Sequence, residues 1–450
     1  MNNRNVWQHV VVVAWLSWAA TGVAPVQAAG PSAQRSPAGS SDEMNSLRDG
    51  IRSTLAHYHA RPLNTRDHNC WELMHSIVAY GVRSHALRGG PTGEPVNAIG
   101  WLCYGKSAGG QTLVGVERGR LAVAKGPRVQ GHYGQFLAIV AQAKVRTDYP
   151  IEVGRRQFTL ADLIESEKLG CQSGTELTFK LIALSHYVDS EATWTSATGE
   201  EWSVSRLVAE EIKSPISGAA CGGTHRLMGL SYAVRERVKQ GRPLDGQFLR
   251  ADRYTRDYQR YTFRLQNSDG SFSTDWFKGR AAKPDLDRRL QTTGHILEWM
   301  AYSVPEETLD DPRLVKAVDY LTGILASNPH REWSIGPLGH GLHALAIYND
   351  RRFTTPAPDD AGQVARRGDS PRPKPKPSAA KRSKAANPSK TPNASKKVPS
   401  KEDLPAVTSE GPSELPDCES FPAQPLQSPE KNTPGDHPEG SSDAGKVVPL

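Results

Sequence analysis

One short pattern, degraded but recognisable, recurs along most of this 450-residue chain. Its clearest form is residues 292–302 (TTGHILEWMAY), and residues 223–232 (GTHRLMGLSY) and 338–345 (LGHGLHAL) repeat it. Weaker copies begin at Cys70, Gly134 and Gly174. Each copy has a small or glycine-rich lead-in, a polar or aromatic residue and an apolar run with helical spacing. A unit that returns every roughly 40–70 residues predicts a repeat architecture built from helices.

The helices predicted between residues 42 and 353 are of two kinds. One kind is apolar on nearly every side, as at 136–143, 177–184 and 296–304. The other kind is amphipathic with a charged side, as at 202–213 and 310–327. A helix without a polar side must be buried, whereas a striped helix lies at the surface. The alternation predicts a double-walled helical ring, a single α/α toroid with about six inner and five outer helices.

A different pattern interrupts the helices near residues 96–124. The segments 96–104, 111–116 and 120–124 are short and β-prone, and glycine clusters separate them. We therefore predict a small β insert in the place of the second outer helix.

Both ends of the chain differ from the helical region in composition. Residues 1–28 resemble a secretory signal, because Arg4 precedes a short apolar run that leads to a small-residue cleavage site (VQA). Residues 29–41 are a polar leader. Residues 354–450 are rich in proline, serine and charge, and they cannot bury enough apolar surface to fold. We expect an exported, periplasmic or extracellular protein with no transmembrane span, one domain over 42–353 and a disordered tail.

The chain has a net charge of +7, and its most strongly charged blocks lie in the tail. Its first block, 366–401, is basic and its second block, 402–443, is acidic. The basic balance therefore does not mark the folded region as a nucleic-acid binder. Two interpretations of the tail stay open: a solvated spacer, and an electrostatic tether to an acidic polymer or the cell envelope.

Five cysteines are present, of which Cys418 lies in the tail. An exported protein meets oxidising conditions, which permit disulfides. The other four, Cys70, Cys103, Cys171 and Cys221, allow three connectivities that the sequence does not distinguish. Cys171 and Cys221 precede consecutive inner helices, which makes them our preferred pair.

Residues 261–272 (YTFRLQNSDGSF) resemble the QW-type repeat of terpenoid cyclases and protein prenyltransferases. In such a repeat Gln266 would cap a helix end, Gly270 would permit a tight turn and Phe272 would fill the gap between outer helices. The resemblance covers residues 42–353 and implies the α/α-toroid fold. Exported bacterial ring proteins without an assigned activity are the most similar in kind. The chain lacks the Asp-rich motif of the cyclases and the Asp-x-Cys segment of the zinc-dependent prenyltransferases, so neither chemistry is carried over.

In a toroid the N-termini of the inner helices surround one mouth. Helix N-termini carry unpaired N–H groups and about half a positive charge each, which favours an anionic or polar ligand. Glycines beside these ends, at 222–223, 294 and 339, would let a ligand approach the backbone. The residues presented at the mouth would be Gln135, Glu176, His225, His295, His340 and Trp71.

Three interpretations of the histidines stay open. They are structural groups that hydrogen-bond neighbouring helices, or they act on a ligand, or they hold a metal with Glu176, Cys171 or Cys221. No local metal-ligand spacing occurs in a helix, so we assign no metal ligand and identify no cofactor. The candidate catalytic residues are His225, His295 and Glu176, and the candidate ligand contacts are His340, His343, Gln135, Trp71, Tyr232 and Tyr302.

Two functions follow from this reasoning. The first is a binding or structural module with a histidine-lined central cavity. The alternative is an enzyme of lyase or transferase type that acts on an anionic or polar polymer or an isoprenoid-type ligand. The sequence does not decide whether the protein is an enzyme.

Overall fold

The computed structural model describes residues 41–354. Twelve α-helices and four pairs of short antiparallel strands occur in this part of the chain, which confirms a mainly helical fold. The predicted signal, almost all of the leader and the tail from residue 355 lie outside the described residues. Between residues 41 and 354, no helix is both long enough and apolar enough to cross a bilayer.

The helices lie close to the predicted spans. However, α10 and α12 begin before their apolar runs, which places the repeated histidines several residues inside each helix. The bounds are α1 Ser41–His59, α2 Cys70–Tyr80, α3 Ala98–Cys103, α4 Gln135–Gln142, α5 Leu160–Leu169, α6 Thr178–Tyr187, α7 Val204–Lys213, α8 Thr224–Lys239, α9 Gly246–Leu265, α10 Leu286–Ser303, α11 Pro312–Ala326 and α12 Ile335–Phe353.

The strands form four separate hairpins. They are β1 His85–Leu87 with β2 Pro95–Asn97, β3 Val114–Glu117 with β4 Arg120–Val123, β5 Pro150–Val153 with β6 Arg156–Thr159, and β7 Thr193–Thr195 with β8 Glu201–Ser203. The predicted insert is confirmed at β3 and β4. It is wrong for most of segment 96–104, which forms α3, because Asn97 accepts the Gly100 N–H and starts a helix with a buried apolar side.

Three of the hairpins lead directly into a helix. The second strands end at Asn97, Thr159 and Ser203, and each of these residues is the N-cap of the helix that follows. A short polar side chain at this position accepts an N–H of the first helical turn, as Ser203 does from Arg206 at 3.1 Å. The strand therefore turns into the helix without an intervening loop, at α3, α5 and α7.

Six helices contact one another in a closed cycle: α2 with α4, α4 with α6, α6 with α8, α8 with α10, α10 with α12, and α12 with α2. We call these helices the six-helix cycle. The three segments predicted to be buried on all sides belong to α4, α6 and α10, and their apolar residues are buried. Each of the other helices contacts one or two members of the cycle, and the amphipathic α7 and α11 bury one side only.

Glycines bring members of the cycle unusually close together. A Cβ on Gly294 of α10 would lie 3.0 Å from the Cα of Gly341 in α12, and a Cβ on Gly339 would lie 2.6 Å from the carbonyl oxygen of His75. Gly222 has a left-handed φ of +63°, and a Cβ there would overlap the ring of Trp276 at 2.2 Å. The predicted role in ligand approach is therefore wrong for Gly294 and Gly339, because backbone atoms of neighbouring helices occupy the space beside them.

The QW-like segment follows α9 in the chain and hydrogen-bonds to α11. The Gln266 amide donates to the carbonyls of Gly270 at 2.9 Å and Arg313 at 2.8 Å, so it links the turn to the first residues of α11. Gly270 has a φ of +98°, and a Cβ on it would lie 2.4 Å from the Lys316 carbonyl oxygen. Phe272 is buried, and its N–H donates to Thr293 of α10. Gln266 thus bonds a neighbouring helix as well as its own turn.

Candidate functional site

Four imidazole rings from four members of the six-helix cycle lie against one another. His340 lies at the centre of the group, with its ring centroid 4.0 Å from that of His295, 5.0 Å from His225 and 5.3 Å from His75. The centroids of His225 and His295 are 5.4 Å apart. We call these four residues the histidine cluster. The structure therefore brings together three predicted site residues and adds His75 from α2.

Two of these rings are each held by a backbone carbonyl of their own helix. His75 Nδ1 lies 2.7 Å from the Trp71 carbonyl oxygen, and His295 Nδ1 lies 2.7 Å from that of Gln291. A carbonyl oxygen only accepts, so Nδ1 carries the proton and Nε2 of the neutral ring carries the lone pair. Both histidines thus present an unprotonated nitrogen away from their own helix backbone.

A buried carboxylate fixes the third ring. Glu298 of α10 accepts from His340 Nδ1 at 2.8 Å and from His343 Nδ1 at 2.5 Å. His340 and His343 lie one turn apart on the same side of α12, as predicted. Burial alone would raise the pKa of Glu298, but the charges and hydrogen bonds of the two histidines hold it well below its usual range. Glu298 is therefore an ionised carboxylate directly beneath the cluster.

Three of the four rings, those of His75, His225 and His295, stay uncharged at neutral pH. Burial, together with a smaller effect of the neighbouring His340, lowers the pKa of His75 to about 3. Burial and His340 also hold the pKa values of His225 and His295 well below the ordinary range. Of the four rings only His225 is more than slightly exposed. It is the member of the cluster that a molecule from solvent would meet first.

A polar pocket adjoins the cluster on the side of α10, and we call it the basic pocket. The Trp276 ring separates the two, with its centroid 5.8 Å from that of His295 in an edge-on arrangement. Arg288 donates to the Thr274 carbonyl and the Gln291 side chain, which are neutral, and neither Arg288 nor Lys278 forms an ion pair within the described chain. The lining residues are Ser217, Gly218, Ala219, Gly222, Trp276, Phe277, Lys278 and Arg288.

A mainly apolar cavity opens on the other side of His75, between α1, α2 and α12. Its lining residues are Tyr58, His59, Arg61, Pro62, Leu63, His75, Ser76, Ala79, Tyr80, His85, Ile335, Leu338, Gly339 and Leu342. His75 therefore contacts both the cluster and a space suited to an apolar group.

Glu176 lies outside the cluster. Its carboxylate accepts from His132 Nδ1 at 2.7 Å, and the His132 ring stacks on Phe179 with centroids 4.9 Å apart. Phe179 in turn lies 5.1 Å from His225. The structure does not bring Glu176 into direct contact with the candidate catalytic histidines, because one aromatic side chain separates them.

Gln135 and Trp71 have mainly structural contacts. The buried Gln135 side chain accepts the Gly131 N–H at 2.8 Å, so it closes a loop rather than facing the cluster. The Trp71 ring covers His75 at a centroid distance of 4.0 Å and packs against Gly336, where a Cβ would lie 2.5 Å from it. Trp71 thus shields the cluster from the α2 side.

Tyr232 and Tyr302 form a pair away from the cluster. Their rings stack with centroids 4.4 Å apart and planes 7° from parallel. Each lies seven residues beyond a cluster histidine on the same helix, which is about 10 Å along the axis. Burial raises the pKa of both phenols, so neither ionises near neutral pH. The structure does not bring these tyrosines into contact with the cluster, and their contact with a ligand stays a prediction.

The predicted ring of helix N-termini is also wrong for two histidines. His225 lies in the first turn of α8, but α10 begins at Leu286 and α12 at Ile335, several residues before His295 and His340. Helix-terminal N–H groups therefore do not surround the cluster, and burial of the imidazoles dominates its electrostatics.

The preferred disulfide is not formed. Cys70, Cys103 and Cys171 have free thiols, whereas Cys221 is disulfide-bonded. Burial raises the pKa of the Cys171 thiol to about 11, so this residue is not a reactive thiolate at neutral pH. Cys221 has a left-handed φ of +48° just before α8, and its sulfur lies in one group with the donor nitrogens of His225 and His295, all within 4.8 Å of one another.

The sequence contains a signal for two site residues that were not predicted, Glu298 and His75. Glu298 is the only charged residue in the stretch 292–302, where a buried apolar helix was predicted, and a lone charge there needs a partner. His75 lies four residues after Trp71, within the weakest copy of the repeat. His132 and Trp276 lie outside every copy, and only the tertiary structure places them.

Comparison with family models, curated proteins and solved structures finds no match to this chain. Inference about its function therefore starts from the residues and contacts described above.

Proposed function

We propose that residues 42–353 form a single-ring α/α toroid. The closed cycle of contacts among α2, α4, α6, α8, α10 and α12 supports this arrangement, because each helix contacts the next and the last contacts the first. The flanking helices α1, α3, α5, α7, α9 and α11 each contact one or two members of the cycle, as an outer layer would. In this arrangement the histidine cluster lies on the axis of the ring.

We propose that the protein binds an anionic or polar ligand between the basic pocket and His225, and acts on it by proton transfer. The observation that carries the proposal is the convergence of four imidazoles from helices that are far apart in sequence. Burying these polar rings and an ionised carboxylate costs free energy that an apolar core would avoid. A cluster of this kind therefore favours a chemical role over a packing role.

The electrostatics of the basic pocket favour an anion. Lys278 and Arg288 form no direct ion pair within residues 41–354, although their charges also act on Asp275, whose carboxylate pairs with Lys283. Trp276 offers an aromatic surface next to Arg288. A carboxylate, sulfate or phosphate group bound there would place the adjoining part of the ligand near Cys221 and His225. Because burial keeps His225 neutral, its nitrogen lone pair would accept a proton from the ligand.

The apolar cavity beside His75 supports a second candidate, a ligand with a long apolar chain. An isoprenoid-type ligand would place its chain there and its charged end toward the cluster. A uronate or other sugar would leave this cavity empty. The two ligand classes are therefore distinguishable by substitutions in the cavity that leave the basic pocket unchanged.

A thermal-shift screen of the full chain with uronate oligosaccharides, sulfated sugars and isoprenoid diphosphates tests the proposal. We expect an anionic compound to raise the Tm of the wild type, and Arg288→Gln and Lys278→Gln together to abolish the shift. Leu338→Phe, which narrows the apolar cavity, should reduce the shift only for an isoprenoid. Lys239→Gln, on the exposed end of α8, is the matched control and should leave the shift unchanged. If no anionic compound changes the Tm, the ligand proposal is wrong and a structural module remains.

A further inference from the structure

The unprotonated nitrogens of the histidine cluster need a partner. Nδ1 of His75, His295 and His340 is bonded to a carbonyl or carboxylate, so in the neutral form of each ring Nε2 carries the lone pair. Within residues 41–354, no backbone or side-chain group hydrogen-bonds to any of these three Nε2 atoms. Several acceptor lone pairs close together are stable only with a proton donor or a cation between them.

Open Nε2 atoms suit a cation, because neutral imidazole is the form that coordinates metal ions. The bonding of Nδ1 to a carboxylate or backbone carbonyl, with Nε2 left open, is the arrangement that orients metal-ligating histidines in proteins.

The spacing of the rings fits one ion. A tetrahedral Zn²⁺ with imidazole nitrogens at about 2.0–2.1 Å holds ring centroids about 5 Å apart. His225, His295 and His340 have mutual centroid distances of 5.4, 5.0 and 4.0 Å. A donor nitrogen of His225 and one of His295 already lie within 4.8 Å of each other in a group whose third member is the Cys221 sulfur. His340 is not in that group, so its ring would have to rotate toward the other two to join the same ion. The ionised Glu298 beside His340 supplies compensating negative charge.

We propose that the histidine cluster binds one divalent transition-metal ion of the Zn²⁺ class, with His225, His295 and His340 as its ligands and Glu298 as the residue that orients His340. The fourth position faces the half-exposed side of His225, toward the basic pocket. The proposal gives no role to the sulfur of Cys221, which is disulfide-bonded. It rests on the proposed ligand site and replaces one part of the proposed function: where the ion is bound, the His225 lone pair coordinates it and does not accept a proton from the ligand.

Metal analysis of the full chain, purified without a polyhistidine tag, tests the assignment. We expect about one zinc per chain, and after chelator treatment and dialysis we expect one equivalent of Co²⁺ to give the visible absorption of a tetrahedral Co²⁺ site. His225→Gln with His295→Gln should abolish the absorption and lower bound metal more than tenfold. His186→Gln, a half-buried histidine outside the cluster, should retain both signals. Circular dichroism of each variant confirms that it is folded.

Three outcomes would overturn the proposal. They are no binding of Zn²⁺ or Co²⁺ at stoichiometric concentration, binding that survives the double substitution, and loss of binding in Cys221→Ser, which would assign the sulfur as a ligand. The thermal-shift screen repeated on metal-free protein separates this inference from the proposed function. If an anionic compound raises the Tm of protein that binds no metal, the proposed anion site is supported and only the metal proposal is wrong.

Discussion

Replacing Glu298 with glutamine tests the central electrostatic claim about the site. The side chain keeps its size, but it loses its charge and presents an N–H₂ group to one of its two imidazole partners. In the wild type both partners donate to the carboxylate, at 2.8 Å from His340 and 2.5 Å from His343. Hydrogen bonds to a charged group contribute about 1.5–3 kcal/mol each, and an unpaired buried group costs more. We therefore expect Glu298→Gln to lower the free energy of unfolding by about 2–4 kcal/mol.

Thermal melts in the presence of a chelator measure this loss without any contribution from bound metal. A domain of this size changes its Tm by about 2 °C per kcal/mol, so the Tm should fall by roughly 4–8 °C. The pKa of Glu298 is lower in the folded than in the unfolded chain, where it is near 4.3. Its stabilisation is therefore complete above about pH 4.3 and is lost as the pH falls toward the folded-state pKa.

The matched control is Glu307→Gln, at an exposed position before α11. Surface changes of this kind alter stability by about 0.5 kcal/mol or less. If Glu298→Gln melts within 1 °C of this control at pH 7, the carboxylate is not an ionised partner of the two histidines. The account of how His340 is oriented would then be wrong.

Three further predictions follow from the packing and the pKa shifts. Gly339→Ala should lower the free energy of unfolding by about 1–3 kcal/mol, because the added Cβ would overlap His75. Gly323→Ala in α11 has open space beside it and should raise the free energy of unfolding by about 0.5–1 kcal/mol. Guanidinium unfolding measures both variants. Gln266→Ala should cost about 1–3 kcal/mol, because the carbonyls of Gly270 and Arg313 lose their donor, and equal stability would refute the link to α11. The lowered pKa values of His75, His225 and His295 mean that only the unfolded chain takes up their protons below about pH 6.5. Stability should therefore fall by about 1.4 kcal/mol per pH unit for each, and His295→Gln should show a shallower slope between pH 6 and 5.

The local pattern predicts most helices correctly, because burial on all sides or on one side is written directly in the residues of α4, α6, α7, α10 and α11. Segment 96–104 was misjudged because its apolar and β-prone residues suit a strand or a short helix equally. The helix forms because the N-cap Asn97 accepts an N–H of its first turn. The hairpins before α5 and α7 were missed because strands of three or four residues leave too little periodicity to detect.

The repeated lead-in by itself determined that His225, His295 and His340 occupy equivalent places in the repeated pattern. It did not determine their depth within those helices, since the starts of α10 and α12 depend on residues outside the repeat. Only the tertiary structure decided that His75 and Glu298 join them, that Glu176 bonds His132 instead, and that the two tyrosines lie elsewhere. The physical reason is that a sequence pattern reports which side of a helix is buried, whereas the distance between side chains on different helices depends on how closely the backbones pack. Here the glycines at 294, 339 and 341 set that closeness.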